Sequence, residues 1–283
     1  MPRLCANIGF LFPEMPFLDR FEAAARAGFT AVEFASPYEY PAAELRTRLQ
    51  ANGLSLVLIN SPTGNRAAGE RGFACLPGRT DAFRDGVGQA LDAAAALDCK
   101  MIHVMAGVPP AGLAYETALA LYAVNLAWAA EKAKAAGIGL VIEPLNPRDA
   151  PGYLLNTQEQ GAAIVEAIGR DRIGLQFDVY HCQTAQGDVA TRLEKLMPFI
   201  AHMQLADVPG RHEPGTGEIG WEFLFRRIDE LGYAGWVGCE YAPLGDTVRD
   251  VDAPLGDTVR TDDRRGIGWG ETSYARHADH SSG

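Results

Sequence analysis

The sequence has few cysteines, and none lies close enough to another to form a paired motif. The five cysteines stand alone at positions 5, 75, 99, 182 and 239 of the 283 residues. An odd number of scattered cysteines without a CxxC pair argues against a disulfide framework and against a zinc knuckle. The pattern is typical of a protein that works in a reducing compartment.

Basic residues are also scarce relative to acidic ones. There are 25 Lys and Arg against 36 Asp and Glu, which gives a formal net charge of -11. Nucleic-acid binders need clustered cations that release counterions from the phosphates, so we expect no nucleic-acid partner. A small anionic substrate is compatible with this balance, because it needs only one or two local cations.

Long apolar runs are missing as well. No stretch approaches the ~18 apolar residues of a membrane span, and residues 1–7 lack the apolar core of a signal peptide. We therefore expect a cytoplasmic protein without a membrane partner.

The sequence does contain a regular alternation of short apolar runs and longer segments with helical spacing. The predicted strands cover residues 4–10, 31–34, 54–59, 101–105, 138–142, 174–178, 200–204 and 236–240. The predicted helices cover residues 17–27, 41–52, 80–97, 115–136, 156–168, 188–197 and 221–231. Continuous apolar runs are typical of parallel strands buried on both faces. Eight such units in residues 1–241 predict an α/β fold, a single (β/α)8 TIM barrel.

An open doubly wound sheet is the main alternative to the barrel. Such a sheet normally carries a glycine-rich phosphate turn after its first strand. Residues 9–13 read Gly-Phe-Leu-Phe-Pro and offer no such turn. The closed barrel is therefore favoured.

Residues 242–283 follow a different pattern. The segment Ala-Pro-Leu-Gly-Asp-Thr-Val-Arg occurs at 242–249 and again at 253–260, which is a tandem duplication in a loop. The end of the chain is small and polar. We predict a C-terminal tail that is partly disordered.

Four successive predicted strands end in a side chain that carries an oxygen donor: Glu143, Asp178, Gln204 and Glu240. The carboxyl ends of barrel strands are where active sites form. The residue numbers give gaps of 35, 26 and 36 residues, each about one strand-helix unit. An all-oxygen set suits Mg2+ or Mn2+ better than zinc. The pattern predicts a divalent metal site, although each residue alone could equally be a polar cap of its loop.

Other polar residues allow two interpretations. His181 could bind substrate or form a local hydrogen bond, and Arg71 lies among glycines, as a mobile anion clamp would, or is a solvated loop residue. Glu33 ends the second strand and could face the same rim or be structural. His103 lies inside an apolar strand and is predicted to be a satisfied core residue.

Six further motifs are distributed over the predicted strand ends and loops. They are Glu70-Arg71-Gly72 with Pro77-Gly78-Arg79, Ile142-Glu143-Pro144, Asp178-Val179-Tyr180-His181, His202-Met203-Gln204-Leu205-Ala206-Asp207, Glu213-Pro214-Gly215-Thr216-Gly217-Glu218 and Gly235-Trp236-Val237-Gly238-Cys239-Glu240-Tyr241. Together they resemble the hydroxypyruvate isomerase family, one of the xylose isomerase-like TIM barrels. The resemblance covers about residues 1–241.

The resemblance implies an isomerase that interconverts hydroxypyruvate and 2-hydroxy-3-oxopropanoate through an enediolate stabilised by a divalent metal. It implies that Glu143 and Glu240 act as acid and base and that the same two residues, with Asp178 and Gln204, bind the metal. Sugar epimerases of the superfamily usually carry His where Gln204 stands.

Within this framework, three side chains are expected to hold the carboxylate of a small hydroxy or oxo acid: Arg71, His181 and Arg211. Three alternatives stay open: an isomerase of 2-oxotetronate, a ketose 3-epimerase, and a non-catalytic binder of sugar acids. The alanine-rich outer helices are compatible with a homo-oligomer, and equally with packing inside one barrel.

Overall fold

The computed structural model describes residues 2–245, in which nine parallel strands form one sheet. The strands are β1 (Arg3–Asn7), β2 (Ala31–Glu33), β3 (Ser55–Leu56), β4 (Ile59–Asn60), β5 (Met101–His103), β6 (Gly139–Ile142), β7 (Ile173–Asp178), β8 (Ile200–Leu205) and β9 (Trp236–Cys239). Their order across the sheet is β3-β2-β1-β9-β8-β7-β6-β5-β4. Consecutive strands therefore pair with each other, except β3 and β4, and β1 pairs with β9.

The sheet closes through the segment that contains β3 and β4. β3 pairs with β2 at one end of the sheet, and β4 pairs with β5 at the other. The two strands are separated only by Val57 and Leu58, so they are halves of one interrupted barrel strand. The backbone N–H of Asn60 also donates to the carbonyl of Ala35 (3.0 Å). The predicted (β/α)8 barrel is confirmed, with its third strand split in two.

Eight α-helices lie within the described residues. They are α1 (Arg20–Arg26), α2 (Ala42–Ala51), α3 (Thr80–Leu97), α4 (Tyr115–Ala135), α5 (Gln158–Ile168), α6 (Val179–Ala185), α7 (Val189–Leu196) and α8 (Trp221–Glu230). Three short 3-10 turns add Phe17–Asp19, Arg66–Ala68 and Met197–Phe199. The seven predicted helices are present with ends that differ by two residues or fewer, apart from the 3-10 turn that opens the first.

Local chemistry explains where these helices begin and which face they bury. At the start of α5, Thr157 accepts from the backbone N–H of Gln160, whose side chain accepts in return from the backbone N–H of Thr157. This reciprocal pair satisfies N–H groups that a helix N-terminus leaves unpaired. Along α4, the buried residues recur at spacings of three and four, which places one apolar stripe against the barrel.

Helix α6 is absent from the sequence-based prediction. It begins directly after β7, where the side chain of Asp178 accepts from the backbone N–H groups of Tyr180 (2.7 Å) and His181 (3.4 Å). Asp178 is thus the N-cap of a seven-residue helix, which is too short to produce a clear period. This cap matters for the candidate site, because it holds the backbone of His181 next to the end of β7.

Within residues 2–245, no helix combines the length and the apolar character that crossing a membrane requires. The predicted tail covers residues 242–283, and the described residues end at 245. Apart from residues 242–245, the tail and its tandem duplication therefore lie outside the described part of the chain.

Helix α4 offers a matched test of core packing. Leu126 is completely buried, whereas Val124 on the same helix is 66% exposed. We expect Leu126→Ala to lower the free energy of unfolding by about 2–5 kcal/mol, because it removes buried methyl groups and leaves a cavity. Val124→Ala should change it by no more than about 0.5 kcal/mol. Urea unfolding followed by circular dichroism measures both values, and equal losses would contradict the packing described for α4.

Candidate active site

A cavity of about 630 Å³ opens at the carboxyl ends of the strands. Its wall includes five of the candidate residues: Glu143, Glu240, Arg71, His181 and Arg211. Asp178 and Gln204 are also buried but do not line the cavity. Asp178 contacts Arg211 of the cavity wall, whereas Gln204 contacts Gln176 and Glu33. The end of the barrel thus brings the sequence-derived candidates together in one place.

Glu143 and Asp178 form the most deeply buried part of the site. Both side chains are buried, and each has one carboxylate oxygen, Oε1 of Glu143 and Oδ2 of Asp178, without a hydrogen-bond partner among the described residues. These two oxygens lie 3.9 Å and 3.8 Å from the same atom, Nε2 of His181. Buried polar atoms are nearly always paired, so two unpaired acceptors close to each other indicate a site for a ligand.

The electrostatics of the site reflect this crowding of carboxylates. Burial raises the pKa of Glu143 well above its ordinary value, and the nearby charges of Glu240 and Asp178 raise it further. Burial also raises the pKa of Glu240 to about 7, although Arg211 acts in the opposite direction. Such shifts are typical of sites where acid–base groups or cations act.

Arg211 supplies the positive charge nearest to these carboxylates. Its Nη2 pairs with Oε2 of Glu240 and lies 3.6 Å from Oδ2 of Asp178. The guanidinium also lies over the rings of Phe10 (4.9 Å) and Tyr180 (4.8 Å). Arg211 is therefore held between two carboxylates and two aromatic faces.

Gln204 belongs to a polar layer inside the barrel, just below the cavity. Its Nε2 donates to Oε1 of Glu33 (2.7 Å), and its Oε1 accepts from Nε2 of Gln176 (2.6 Å). Asn7 joins the same layer, because its Nδ2 donates both to Glu33 Oε1 (3.1 Å) and to Glu240 Oε1 (3.0 Å). The layer therefore connects Gln204 and Glu240 through shared hydrogen bonds.

Glu33 is the negatively charged centre of this layer. Burial opposes its ionisation, but His202 and the donors Gln204 and Asn7 outweigh burial, so the pKa of Glu33 lies below its ordinary value. His202 Nε2 lies 2.7 Å from Oε2 of Glu33, and the thiol of Cys5 donates to the same oxygen (3.5 Å). Cys5, Glu33 and His202 form a group of side chains of the types that bind metals, but they already contact one another.

The orientation of His181 follows from its hydrogen bonds. The backbone N–H of Asn146 donates to Nδ1 of His181 (3.1 Å), and the side-chain amide of Asn146 lies 2.7 Å from the same atom. Burial lowers the pKa of His181 to about 4, so the ring is neutral and carries its proton on Nε2. In this form His181 presents an N–H donor to the cavity. His181 also belongs, with Glu143 and Asp178, to a group whose ligand atoms lie within 4.8 Å of one another and could hold a metal ion.

Arg71 lies on another wall of the cavity. Its Nη2 donates to the backbone carbonyl of Asp149 (3.0 Å). Asp149 in turn accepts from the hydroxyl of Tyr180 (2.7 Å), and Arg148 bridges Tyr180 to the carbonyl of Pro209 (2.8 and 3.1 Å). These contacts join three loops and helix α6 beside the cavity.

Two residues of the site differ from what the sequence predicted. His103 is buried, as predicted, but the prediction that it is satisfied is wrong, because its Nε2 is unpaired among the described residues. It also lines the cavity, with Nδ1 at 3.6 Å from Oε2 of Glu143. Gln176 was missed, although it lies two positions before Asp178 in β7. Alternate residues of a strand share a face, and this spacing could have revealed it.

The loop that carries Arg211 is organised by Asp207, which is buried. The carboxylate accepts from the backbone N–H groups of Val208 (2.9 Å), Ile219 (3.2 Å), Gly215 (2.8 Å) and Gly217 (3.0 Å), and from the indole N–H of Trp221 (3.1 Å). Arg211 itself has φ of 57°, a left-handed conformation that non-glycine residues seldom adopt. The hydrogen bonds of Asp207 therefore fix the loop, and the fixed loop holds Arg211 in place.

The donor set of the site fits a hard divalent cation. Oxygen atoms of Glu143 and Asp178 are unpaired and close together, and the repulsion that raises the pKa of Glu143 is the kind that a cation relieves. Glu240 is linked to Asp178 by Arg211, which contacts both, and the amide oxygen of Gln204 accepts from Gln176 (2.6 Å). An oxygen-rich set of this kind suits Mg2+ or Mn2+.

We expect Asp207→Asn to loosen the loop, because one oxygen that accepts N–H groups becomes an amide that cannot. The loss of about 1–3 kcal/mol for buried groups left unpaired should lower the melting temperature by several degrees and expose the Arg211–His212 bond to trypsin. Differential scanning fluorimetry and limited proteolysis measure the two effects. Glu213→Gln is the matched control in the same loop, since its carboxylate accepts from the backbone of Leu244 (3.0 Å). Equal proteolysis of the two variants would contradict this role.

Comparisons with known proteins agree with this architecture. Residues 21–256 match the family model of the xylose isomerase-like TIM barrel. The chain is 51% identical to a 2-oxo-tetronate isomerase of Cupriavidus necator over 247 residues, which is 87% of this chain and 95% of the relative. It is 44% identical to the hydroxypyruvate isomerase of Escherichia coli, with 86% and 94% of the two chains covered.

A solved structure from Brucella melitensis, described as an AP endonuclease of family 2, superposes with a TM-score of 0.85 at 43% identity and covers 87% of this chain and 95% of that one. The relatives at 51% and 44% identity are both named as isomerases. The chain therefore belongs to the hydroxypyruvate isomerase family of xylose isomerase-like TIM barrels, and it is an isomerase.

Proposed function

We propose that the protein converts a short 2-oxo acid with a hydroxyl on C3 into the isomer with its hydroxyl on C2 and its carbonyl on C3. The observation that carries this proposal is the crowding of the buried Glu143 and Asp178 and the partly buried Glu240 around a cavity that also holds Arg211 and an N–H of His181. Hydroxypyruvate, which would give 2-hydroxy-3-oxopropanoate, is the three-carbon substrate of this class. 2-Oxotetronate is the four-carbon one.

The chemistry explains why two glutamates are needed. One group must remove the proton from the carbon that bears the hydroxyl, and another must deliver a proton to the former carbonyl carbon. We assign these steps to Glu143 and Glu240, because burial raises the pKa of both and brings that of Glu240 to about 7. Their roles are exchanged in the reverse direction.

The enediolate between these steps carries concentrated negative charge. We propose that Glu143, Asp178, Gln204 and Glu240 hold Mg2+ or Mn2+, which supplies Lewis-acid stabilisation of that charge when bound. The unpaired oxygens of Glu143 and Asp178 support this assignment.

Three side chains remain to orient the substrate. His181 directs a neutral N–H into the site and can donate to a substrate oxygen without adding charge. We propose that Arg71 and Arg211 engage the carboxylate, since a guanidinium matches it with two parallel hydrogen bonds. Both line the cavity. The proposed partner of the protein is thus a small hydroxy or oxo acid.

Two observations bear on the length of the substrate. The cavity of about 630 Å³ leaves room beyond a three-carbon acid, and the relative at 51% identity is named for a four-carbon substrate. These observations favour 2-oxotetronate over hydroxypyruvate. A role on DNA, which the description of the Brucella protein raises, is disfavoured by the net charge of -11.

Proton exchange in D2O identifies the substrate directly. We expect the protein with Mn2+ or Mg2+ to introduce deuterium beside the carbonyl of 2-oxotetronate, and more slowly of hydroxypyruvate, as followed by NMR. Excess EDTA should abolish the exchange, because the enediolate then lacks its stabilising cation. Exchange of neither acid, with binding retained, would favour the sugar-acid binder, and exchange of a free ketose alone would favour an epimerase.

The two glutamates can be tested by isosteric replacement. We expect Glu143→Gln and Glu240→Gln each to lower kcat by at least about 100-fold, because a positioned acid or base contributes about 10^2 to 10^4-fold. Steady-state kinetics measure this effect, and circular dichroism checks the fold. Glu222→Gln, on the exposed first turn of α8, is the control and should retain full activity. Near-normal turnover of either site variant would refute the proton transfer by two glutamates.

A further inference from the structure

Glu33 lies outside the proposed chemistry, yet it is the most fully hydrogen-bonded carboxylate beneath the site. It is only 1% exposed. Its Oε1 accepts from Asn7 and Gln204, and its Oε2 accepts from the thiol of Cys5 and lies within hydrogen-bond distance of His202. Burying a charge is unfavourable unless it is paired and hydrogen-bonded, so this arrangement indicates a defined role for the carboxylate.

The barrel leaves room for this carboxylate at a glycine. Asn7 and Glu33 are register partners in β1 and β2, and Gln204 faces Gly238 across β8 and β9. A Cβ at position 238 would overlap Oε1 and Cδ of Glu33. The position of Glu33 beside Gln204 therefore depends on the missing side chain of Gly238.

The hydrogen bond between Glu33 and Gln204 has only one possible direction. An ionised carboxylate has acceptors and no donors, whereas the two ends of a glutamine amide differ. Gln204 must therefore turn its NH2 group towards Glu33 (2.7 Å). Its Oε1 is then directed the other way, towards Gln176, which lies next to Glu143.

We propose that Glu33 is a positioning residue of the metal site, and that it fixes the side-chain amide of Gln204 with the oxygen directed towards the proposed cation. The inference rests on the proposed metal site. Gln176 contacts the oxygen of Gln204, but Gln176 is itself an amide whose Oε1 has no partner among the described residues, so it does not fix the direction. Without the carboxylate, the two amides could turn together, and the NH2 group that Gln204 would then present cannot bind a cation.

The first test measures Mn2+ affinity by isothermal titration calorimetry, which needs no substrate. We expect Glu33→Gln to weaken Mn2+ binding by about 10 to 100-fold, the range found when a partner of a metal ligand is removed. In a Gln204→Ala background, the same change should add less than about threefold, because the amide to be oriented is gone. An equal loss in both backgrounds would show that Glu33 acts through its own charge and would overturn the proposal.

A second variant moves the carboxylate without removing its charge. Gly238→Ala places a methyl group against Glu33 and should also weaken Mn2+ binding by about tenfold or more. The matched control is Gly139→Ala in β6, where an added Cβ meets only the carbonyl of Lys100 at 3.5 Å. This control should bind Mn2+ as the wild type does, and melting curves without metal show whether each variant is folded.

The outcomes separate this inference from the proposed function. Wild-type protein that binds Mn2+, together with unchanged affinity in Glu33→Gln and Gly238→Ala, overturns only the role of Glu33. Wild-type protein that binds neither Mn2+ nor Mg2+ overturns the metal site and, with it, this inference. Loss in both variants, with coupling to Gln204, supports the inference.

Discussion

Repulsion among buried carboxylates is the constraint on which the end of this barrel depends. Glu143, Asp178 and Glu240 are brought together by three different strand ends. The charges of Glu240 and Asp178 raise the pKa of Glu143, and the charge of Asp178 raises that of Glu240. Such an arrangement is tolerated only where cations or hydrogen-bond donors compensate it. Arg211 provides part of that compensation, which explains why the loop after β8 is held so firmly by Asp207. The loop and the strand ends therefore serve one electrostatic requirement.

The interior of the barrel serves the same requirement one layer lower. Gln176 and Asp178 share one face of β7, and His202 and Gln204 share one face of β8, because alternate residues of a strand point the same way. These inward faces carry polar side chains where a barrel usually carries aliphatic ones. The polar layer gives the site hydrogen bonds from below, while the loops supply them from above.

Much of this architecture could be predicted from the sequence, because the apolar runs of the strands and the helical spacing of the long helices are clear patterns. Apolar runs ending at Glu143, Asp178, Gln204 and Glu240 placed these side chains at one rim, and helices with a full apolar stripe such as α4 were found with their ends nearly correct. Helix α6 was not predicted, because its seven residues are too few to show a helical spacing of apolar side chains. The hydrogen bonds of Glu33 and the engagement of Arg211 join residues that are distant in sequence, so no local pattern contains them.

The presence of Gln204 among three carboxylates explains why the lower layer has to be ordered. A fourth carboxylate at this position would add a further buried negative charge next to Glu33, whereas an amide supplies a neutral oxygen. An amide, however, has two unlike ends, and an aliphatic surrounding could not distinguish them. The carboxylate of Glu33 accepts only from the nitrogen end of the Gln204 amide, at 2.7 Å, and so distinguishes the two ends. The proposed metal site therefore needs both the neutral amide oxygen of Gln204 and the buried charge of Glu33 that orients this amide.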